Sequence, residues 1–546
     1  MIRLAKHSLW KIGVVAALSS LVLAACGSNN SSSETNGSKK DLDWMSNASI
    51  STLDPSKAVD SVSDQIVYNA YRGLLTLDGG NKVAPGVATS YKVSNGGKTY
   101  TFYLRHSKWS NGTPVTAKDF VYGIQRSADP KTASQSAYYL DHIQNYNEVK
   151  NKTKPVSALG VKADGDYKLV INLSKPESYF KNLVTLPVFY PQSKAVVKKY
   201  GSAFGTESHK AVYNGPFKVT GWTGSNDGWN LTKNNYYWDE SKTKVNNIKY
   251  NVIKDPTTGL NQYQAGKLDE LQLTGKQQVE HFKNSNQLHL RNTDSVYYLA
   301  LNQSKVPAFK NLDVRKAISL AIDRNQLTKD VLGDGSYPAK GIVPKGLASY
   351  KGKDFTDYST NRSATTGNLA EAKRLWKKGL AETNTKKLSL QLLNDDTPTG
   401  KSVNEFLQSE LSKLPGLKIT NVNLPHPTKI SRSLNNQFQI LVGLWSPSVT
   451  DPTSPLNIKV SDNALNFGKW SNSEYDALMD RATGADANNE AKRWDDMVKA
   501  NNILLSQQGV VPLYQQVQPE VIKSNIHGIK YYPNGPTWDL SQIYVK

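Results

Sequence analysis

Thiols are almost absent: the 546 residues contain one cysteine, Cys26. One cysteine cannot form an intrachain disulfide, so the body has to hold together by packing. Catalytic signatures are missing as well. The eight histidines, His7, His106, His142, His209, His281, His289, His426 and His527, fall in no metal-ligand motif. His281 and His289 lie in a polar stretch that reads as surface. There is no Gly-x-Ser-x-Gly elbow and no phosphate loop. The paired acids Asp395-Asp396 and Asp495-Asp496 are adjacent rather than convergent, as on a solvated face. These absences point away from catalysis and from a bound metal or other cofactor, and towards binding. The net charge is +21, yet no long Lys/Arg run and no nucleic-acid motif accompanies it. A basic field of that kind suits a protein facing an anionic wall or membrane.

Acidic residues are missing from the first 26 positions, where Arg3, Lys6 and Lys11 form a positive start. The apolar run Ile12 to Ala25, broken by Gly13, Ser19 and Ser20, is shorter than the ~20 residues of a membrane span. Its length fits the core of an export signal. It ends in Leu23-Ala24-Ala25-Cys26, which resembles the lipobox of bacterial lipoproteins. The resemblance implies removal of residues 1–25, diacylglycerol on the Cys26 thiol and attachment at the outer face of a cell membrane, as in a Gram-positive bacterium. Residues 27–40 carry no apolar side chain and read as a flexible tether with a mean reach of roughly 20 Å. No later apolar run is long enough to span a membrane.

The body begins near Asp41. Thr99 to Arg105 places Tyr100, Phe102 and Leu104 on one face, the alternation of a half-buried strand. Asn111-Gly112-Thr113-Pro114 is a turn, and Thr116 with Asp119 forms a capping pair above the stripe Phe120, Val121, Ile124. A helix is expected from about Asp313 to Leu332. Another follows Asn368 and Glu371, with Leu369, Ala372, Leu375 and Trp376 as its stripe and Gly379 as its stop. Further helices are expected at 403–411, 473–482 and 489–505, and strands at 167–173, 388–393, 438–444 and 511–514. Irregular alternation of the two favours α/β domains.

Several blocks in one order carry a family resemblance. They are Ser51-Thr52-Leu53-Asp54-Pro55, the stretch Thr99 to Asp129 with Lys108-Trp109-Ser110-Asn111-Gly112-Thr113-Pro114 inside it, Asn214-Gly215-Pro216-Phe217, and Val314-Arg315-Lys316-Ala317 to Asp323-Arg324. Across nearly the whole mature length the chain resembles the oligopeptide-binding proteins, the extracytoplasmic receptors of peptide ABC importers. The resemblance implies an α/β fold of the type II periplasmic-binding-protein-like class, two hinged lobes with an extra α+β domain. The first lobe would comprise 41–88, 213–303 and 515–546, the extra domain 89–212, and the second lobe 304–514. It further implies a monomer that binds an oligopeptide and meets a permease and an ATPase. Relatives of the same fold that bind nickel complexes, haem or sugars leave a non-peptide ligand open, and the basic charge leaves wall binding open.

The family reads what all peptides share, the backbone, by strand-like pairing. The resemblance places this pairing at Val59-Asp60-Ser61 and at Gly443-Leu444-Trp445-Ser446, with Tyr138 and Tyr297 nearby. Trp109 and Pro114 read as packing residues. Members that grip the peptide ammonium carry an aspartate ahead of an acidic-Pro-Thr-Ser stretch. Here that stretch is Asp451-Pro452-Thr453-Ser454, and the expected aspartate falls on Ser448. A serine cannot neutralise a buried ammonium. The expectation is therefore no salt bridge at that point, unless Asp451 or Asp60 replaces the charge.

Overall fold

Strand Thr99–Leu104 buries Tyr100, Phe102 and Leu104, the face that its alternation marks. It pairs with Ala88–Ser94 and Lys168–Asn172, and Val161–Ala163 completes an antiparallel four-stranded sheet. This sheet and the helices around it fall almost wholly within 89–212, the stretch expected to form the extra domain. Helix Ala117–Ala128 starts at Thr116, whose backbone N–H donates to the Asp119 carboxylate at 2.8 Å, the expected capping box. Trp109 is buried and meets the Tyr71 ring edge-on at 6.5 Å. In this computed structural model the described residues are 41–79, 82–359, 364–447, 449–533, 535 and 537–546, so Cys26 and Ser448 lie outside them.

A second four-stranded sheet, in the order Asp41–Ser46, Asn247–Val252, Gly228–Lys233, Phe217–Thr220, joins 41–88 with 213–303, the stretches expected in the first lobe. One apolar core runs without a break from this sheet into the extra domain. The largest sheet has seven strands. Six follow the order Glu270–Gln272, Val511–Ile522, Leu288–Leu301, Ile440–Trp445, Leu388–Asp395, Leu417–Leu424, and Tyr337–Pro338 also pairs with Val511–Ile522. In Leu288–Leu301, Leu299 and Leu301 face one apolar core while Tyr298 and Ala300 face another. Burial on both faces is why these strands read as continuous apolar runs.

The two long strands Leu288–Leu301 and Val511–Ile522 run side by side through this sheet. Their register slips between the pairs Asn292–Val517 and Val296–Gln515, leaving Thr293, Asp294 and Ser295 in a bulge. The bulge is tied down: Thr293 Oγ1 donates to Gln516 O at 2.8 Å, and Gln515 Nε2 donates to Thr293 O at 2.8 Å. A bulge of this kind bends and twists a strand pair, which suits a hinge.

Two sequence expectations fail locally. The single helix expected from Asp313 to Leu332 is a helix Leu312–Leu320, a new start at Arg324–Gln326 and a widened turn Leu327–Leu332. Asp323 caps the second start by accepting from Asn325 N and Gln326 N. The Arg324 guanidinium turns inward and donates to the carbonyls of Ser319, Ile322 and Pro512. Gly379 lies inside Leu369–Glu382 rather than ending it. A Cβ there would come within 2.7 Å of Val314, so the glycine serves close helix packing.

Candidate functional site

The first wall of the interlobe cleft grows from the block that starts at Leu53. Asp54 is buried and takes the Arg126 guanidinium by both oxygens, each at 2.7 Å. This fork ties the block to the extra domain. The chain then emerges: Val59 is 47% exposed. Asp60 caps helix Ser61–Ala70 by accepting from Ser63 N at 2.8 Å, and its other oxygen accepts from the Ser51 hydroxyl. Ser61, the first helical residue, is exposed beside a small cavity of 180 Å³ that also meets Gln65, Glu270 and Gln518.

Asp64 and Tyr68 follow one helical turn apart and face the same side. With Val59, Tyr138, Tyr139, Asn182 and Thr450 they line a cleft of 330 Å³. Its wall combines the first lobe, the extra domain and, through Thr450, the second lobe. Tyr138 is 58% exposed and lies 4.1 Å from the Tyr139 ring. Burial, reinforced by the neighbouring Asp60 charge, raises the Asp64 carboxyl to about 7.

The second-lobe wall is strand Ile440–Trp445. On one side it pairs with Leu288–Leu301 throughout, Tyr297 opposite Leu444. On the other side its ladder with Leu388–Asp395 ends at the Leu393–Leu441 pair, so Val442 to Trp445 present an edge beyond that ladder. Leu444 on this stretch is 40% exposed and Ser446 is exposed just past its end. Gly443 is buried under the Tyr298 ring, which a Cβ would meet at 2.7 Å. Tyr297 stacks on Tyr514 at 4.5 Å. Trp445 is half-buried and its indole N–H has no hydrogen-bond partner. A further cavity of 370 Å³ beside the bulge is lined by Asn292, Tyr337, Lys340, Lys345 and Gln515.

The structure thus brings Val59 and Tyr138 to one cleft, and sets Tyr297 opposite Leu444 on the neighbouring strand, with Ser446 just past that strand's end. Asp60 is a helix cap. Asp451 is buried in an ion pair with Arg493 at 2.5 Å and also accepts from Thr453 N at 2.9 Å. The sequence reading missed Asp64, Tyr139, Asn182 and Thr450. Asp64 carried one signal, its spacing from Asp60, but an acid in the first turn of a helix ordinarily balances the helix dipole.

Near Asp451 and Arg493 lies the buried Glu177, with the His142 ring 3.3 Å away. Burial and the Asp451 charge raise the Glu177 carboxyl to about 7, and burial lowers the His142 imidazole. Among the described residues, no cluster of histidine, cysteine and acidic side chains could hold a metal ion, and no helix is long and apolar enough to cross a membrane.

Residues 82–467 match the model of the bacterial extracellular solute-binding proteins, family 5. The chain belongs to this family. Two further comparisons extend the likeness over the whole length. The chain is 32% identical to a dipeptide-binding protein of Lactococcus lactis subsp. cremoris, covering 98% of each chain. It is 33% identical to the oligopeptide-binding protein OppA of Listeria monocytogenes, solved with bound peptide, at a TM-score of 0.76 over 93% of this chain and 99% of that one. A family 5 relative named for another ligand, a probable deoxycholate-binding periplasmic protein of Escherichia coli, is 30% identical over 91% of each chain. Solute-binding proteins of family 5 are thus similar to this chain from end to end, and the type II two-lobed fold holds for it.

Proposed function

We propose that this protein is a lipid-anchored receptor on the outer face of the membrane that captures oligopeptides between its lobes and delivers them to an ABC importer. The observation that carries the reading is the strand edge from Val442 to Trp445, which continues beyond the end of its ladder. An extended peptide can add to such an edge through main-chain hydrogen bonds, which are the same for every sequence. The likeness to a peptide-bound OppA supports the same ligand class. Lobe boundaries at 88, 212, 303 and 514 are proposed with it, as is contact of the ligand with Val59, Tyr138, Leu444, Trp445 and Ser446.

Native mass spectrometry of the purified protein tests the ligand. The expected result is a ladder of co-purified masses that resolve into peptides on fragmentation. One discrete non-peptide mass would overturn the reading in favour of a bile-acid-like or other small ligand. The anchor rests on the motif ending in Cys26. Cys26→Ser is expected to abolish labelling by a fatty-acid probe and to release the protein into the medium; unchanged retention on membranes would count against the tether.

A further inference from the structure

Four carboxylates, Asp60, Asp64, Glu177 and Asp451, stand close to the ligand cleft or its seam, and among them only Asp64 has a buried oxygen without a hydrogen-bond partner. Asp60 accepts hydrogen bonds on both oxygens, from Ser63 N and from the Ser51 hydroxyl. Asp451 is ion-paired with Arg493. Asp64 differs: its Oδ1 is buried with no hydrogen-bond partner while the residue lines the cleft. No lysine, arginine or histidine is among the described residues of that lining. Behind Tyr190, Arg72 is already held by Asp539 at 2.7 Å. The groups that face Asp64 are therefore Asp60, Tyr68, Tyr138 and Tyr139, none of them cationic. An unpaired carboxylate in such a place is costly, and tyrosine faces attract a cation. We infer that Asp64 is the specificity residue for a ligand ammonium, which it holds at the mouth of the Tyr68–Tyr138–Tyr139 pocket.

The inference rests on the peptide reading of the cleft. The ammonium of a peptide has two sources, the amino terminus and a lysine side chain. A bound cation would form a charge-assisted hydrogen bond with Asp64 and favour its ionised form. The carboxyl stands at about 7 when the cleft is empty. Binding at pH 7 should then release about half a proton per ligand.

The test uses the full mature protein and its Asp64→Asn variant with an equimolar library of tri- to hexapeptides. The library is supplied free, acetylated on the amino terminus alone, or acetylated on the amino terminus and lysines. Bound fractions are read by native mass spectrometry. For the wild type, blocking the ammonium that is used should cost about tenfold or more in affinity. For Asp64→Asn the acetylated and free libraries should bind alike. Loss with the first modification identifies the amino terminus, and loss only with the second identifies lysine. Calorimetry in two buffers of different ionisation enthalpy should show proton release in the wild type and none in the variant. Asp64→Asn removes a carboxylate whose buried oxygen has no partner, so its melting temperature should be unchanged or higher. An equal acetylation penalty in both proteins, or none in the wild type, overturns the role of Asp64 while leaving the peptide reading in place. Failure of every library to bind either protein overturns both.

Discussion

Against the first lobe, the extra domain is closed by rings and by one buried ion pair. Trp109 meets Tyr71, Tyr190 meets Tyr68 at 5.8 Å, and Arg126 forks onto Asp54. Against the second lobe the same domain offers polar atoms. Asn182 donates to the Thr450 hydroxyl, Asn488 donates to the Gly96 carbonyl at 3.0 Å, and Glu177 confronts Asp451 and Arg493. The first seam shares a single apolar core, whereas among the described residues of the second lobe only Val449 reaches into it. Polar, sparsely packed seams separate readily and dry ones do not. The extra domain should therefore travel with the first lobe, so that ligand entry opens the second seam alone.

The largest expected effect tests the fixed seam. Arg126→Ala strands the Asp54 carboxylate, which is 1% exposed, and should cost about 3–5 kcal/mol of stability in denaturant titration. A loss below about 1 kcal/mol would show that this seam is not held as described. An intermediate effect is expected at Glu177. Its carboxyl rises from an ordinary 4.5 to about 7 in the folded chain, so the folded state binds the proton more tightly. Its contribution is fully present below about 4.5 and is lost as pH climbs to about 7. The groups around it are Asp141, His142, Lys175, Tyr179, Asp451 and Arg493. Glu177→Gln should melt higher than the wild type at pH 8, by about 1–2 kcal/mol, with the gap closing towards pH 5. A gap of the same size at both pH values would remove Glu177 as its source. The smallest effect is at Asn488, whose replacement by alanine should leave stability within about 0.5 kcal/mol by thermal shift. A larger drop would mean that the second seam is structural, and the contrast between the two would fail.

Parts of this arrangement are legible from residue order alone. The Thr116–Asp119 cap, the buried alternation of Thr99–Leu104 and the packing role of Trp109 follow from local rules. The break after Leu320 does not, because it depends on Arg324 reaching Pro512, almost two hundred residues away. Gly379 misleads for the same reason: its partner Val314 lies on another helix. In the cleft, the pairing stretch at Gly443 to Ser446 came from resemblance, whereas Asp64 needed coordinates. A carboxylate that lacks a partner cannot be told from a capped one until its neighbours are placed.

The strand Val511–Ile522 enters the central sheet last. It sits between Glu270–Gln272 and Leu288–Leu301, and so completes both lobes at once. A chain that emerges from its amino terminus holds those neighbours without their shared middle strand for more than two hundred residues. The order of emergence therefore delays closure of the sheet until Val511–Ile522 has been made, so its neighbours cannot lock around a shared middle strand before then.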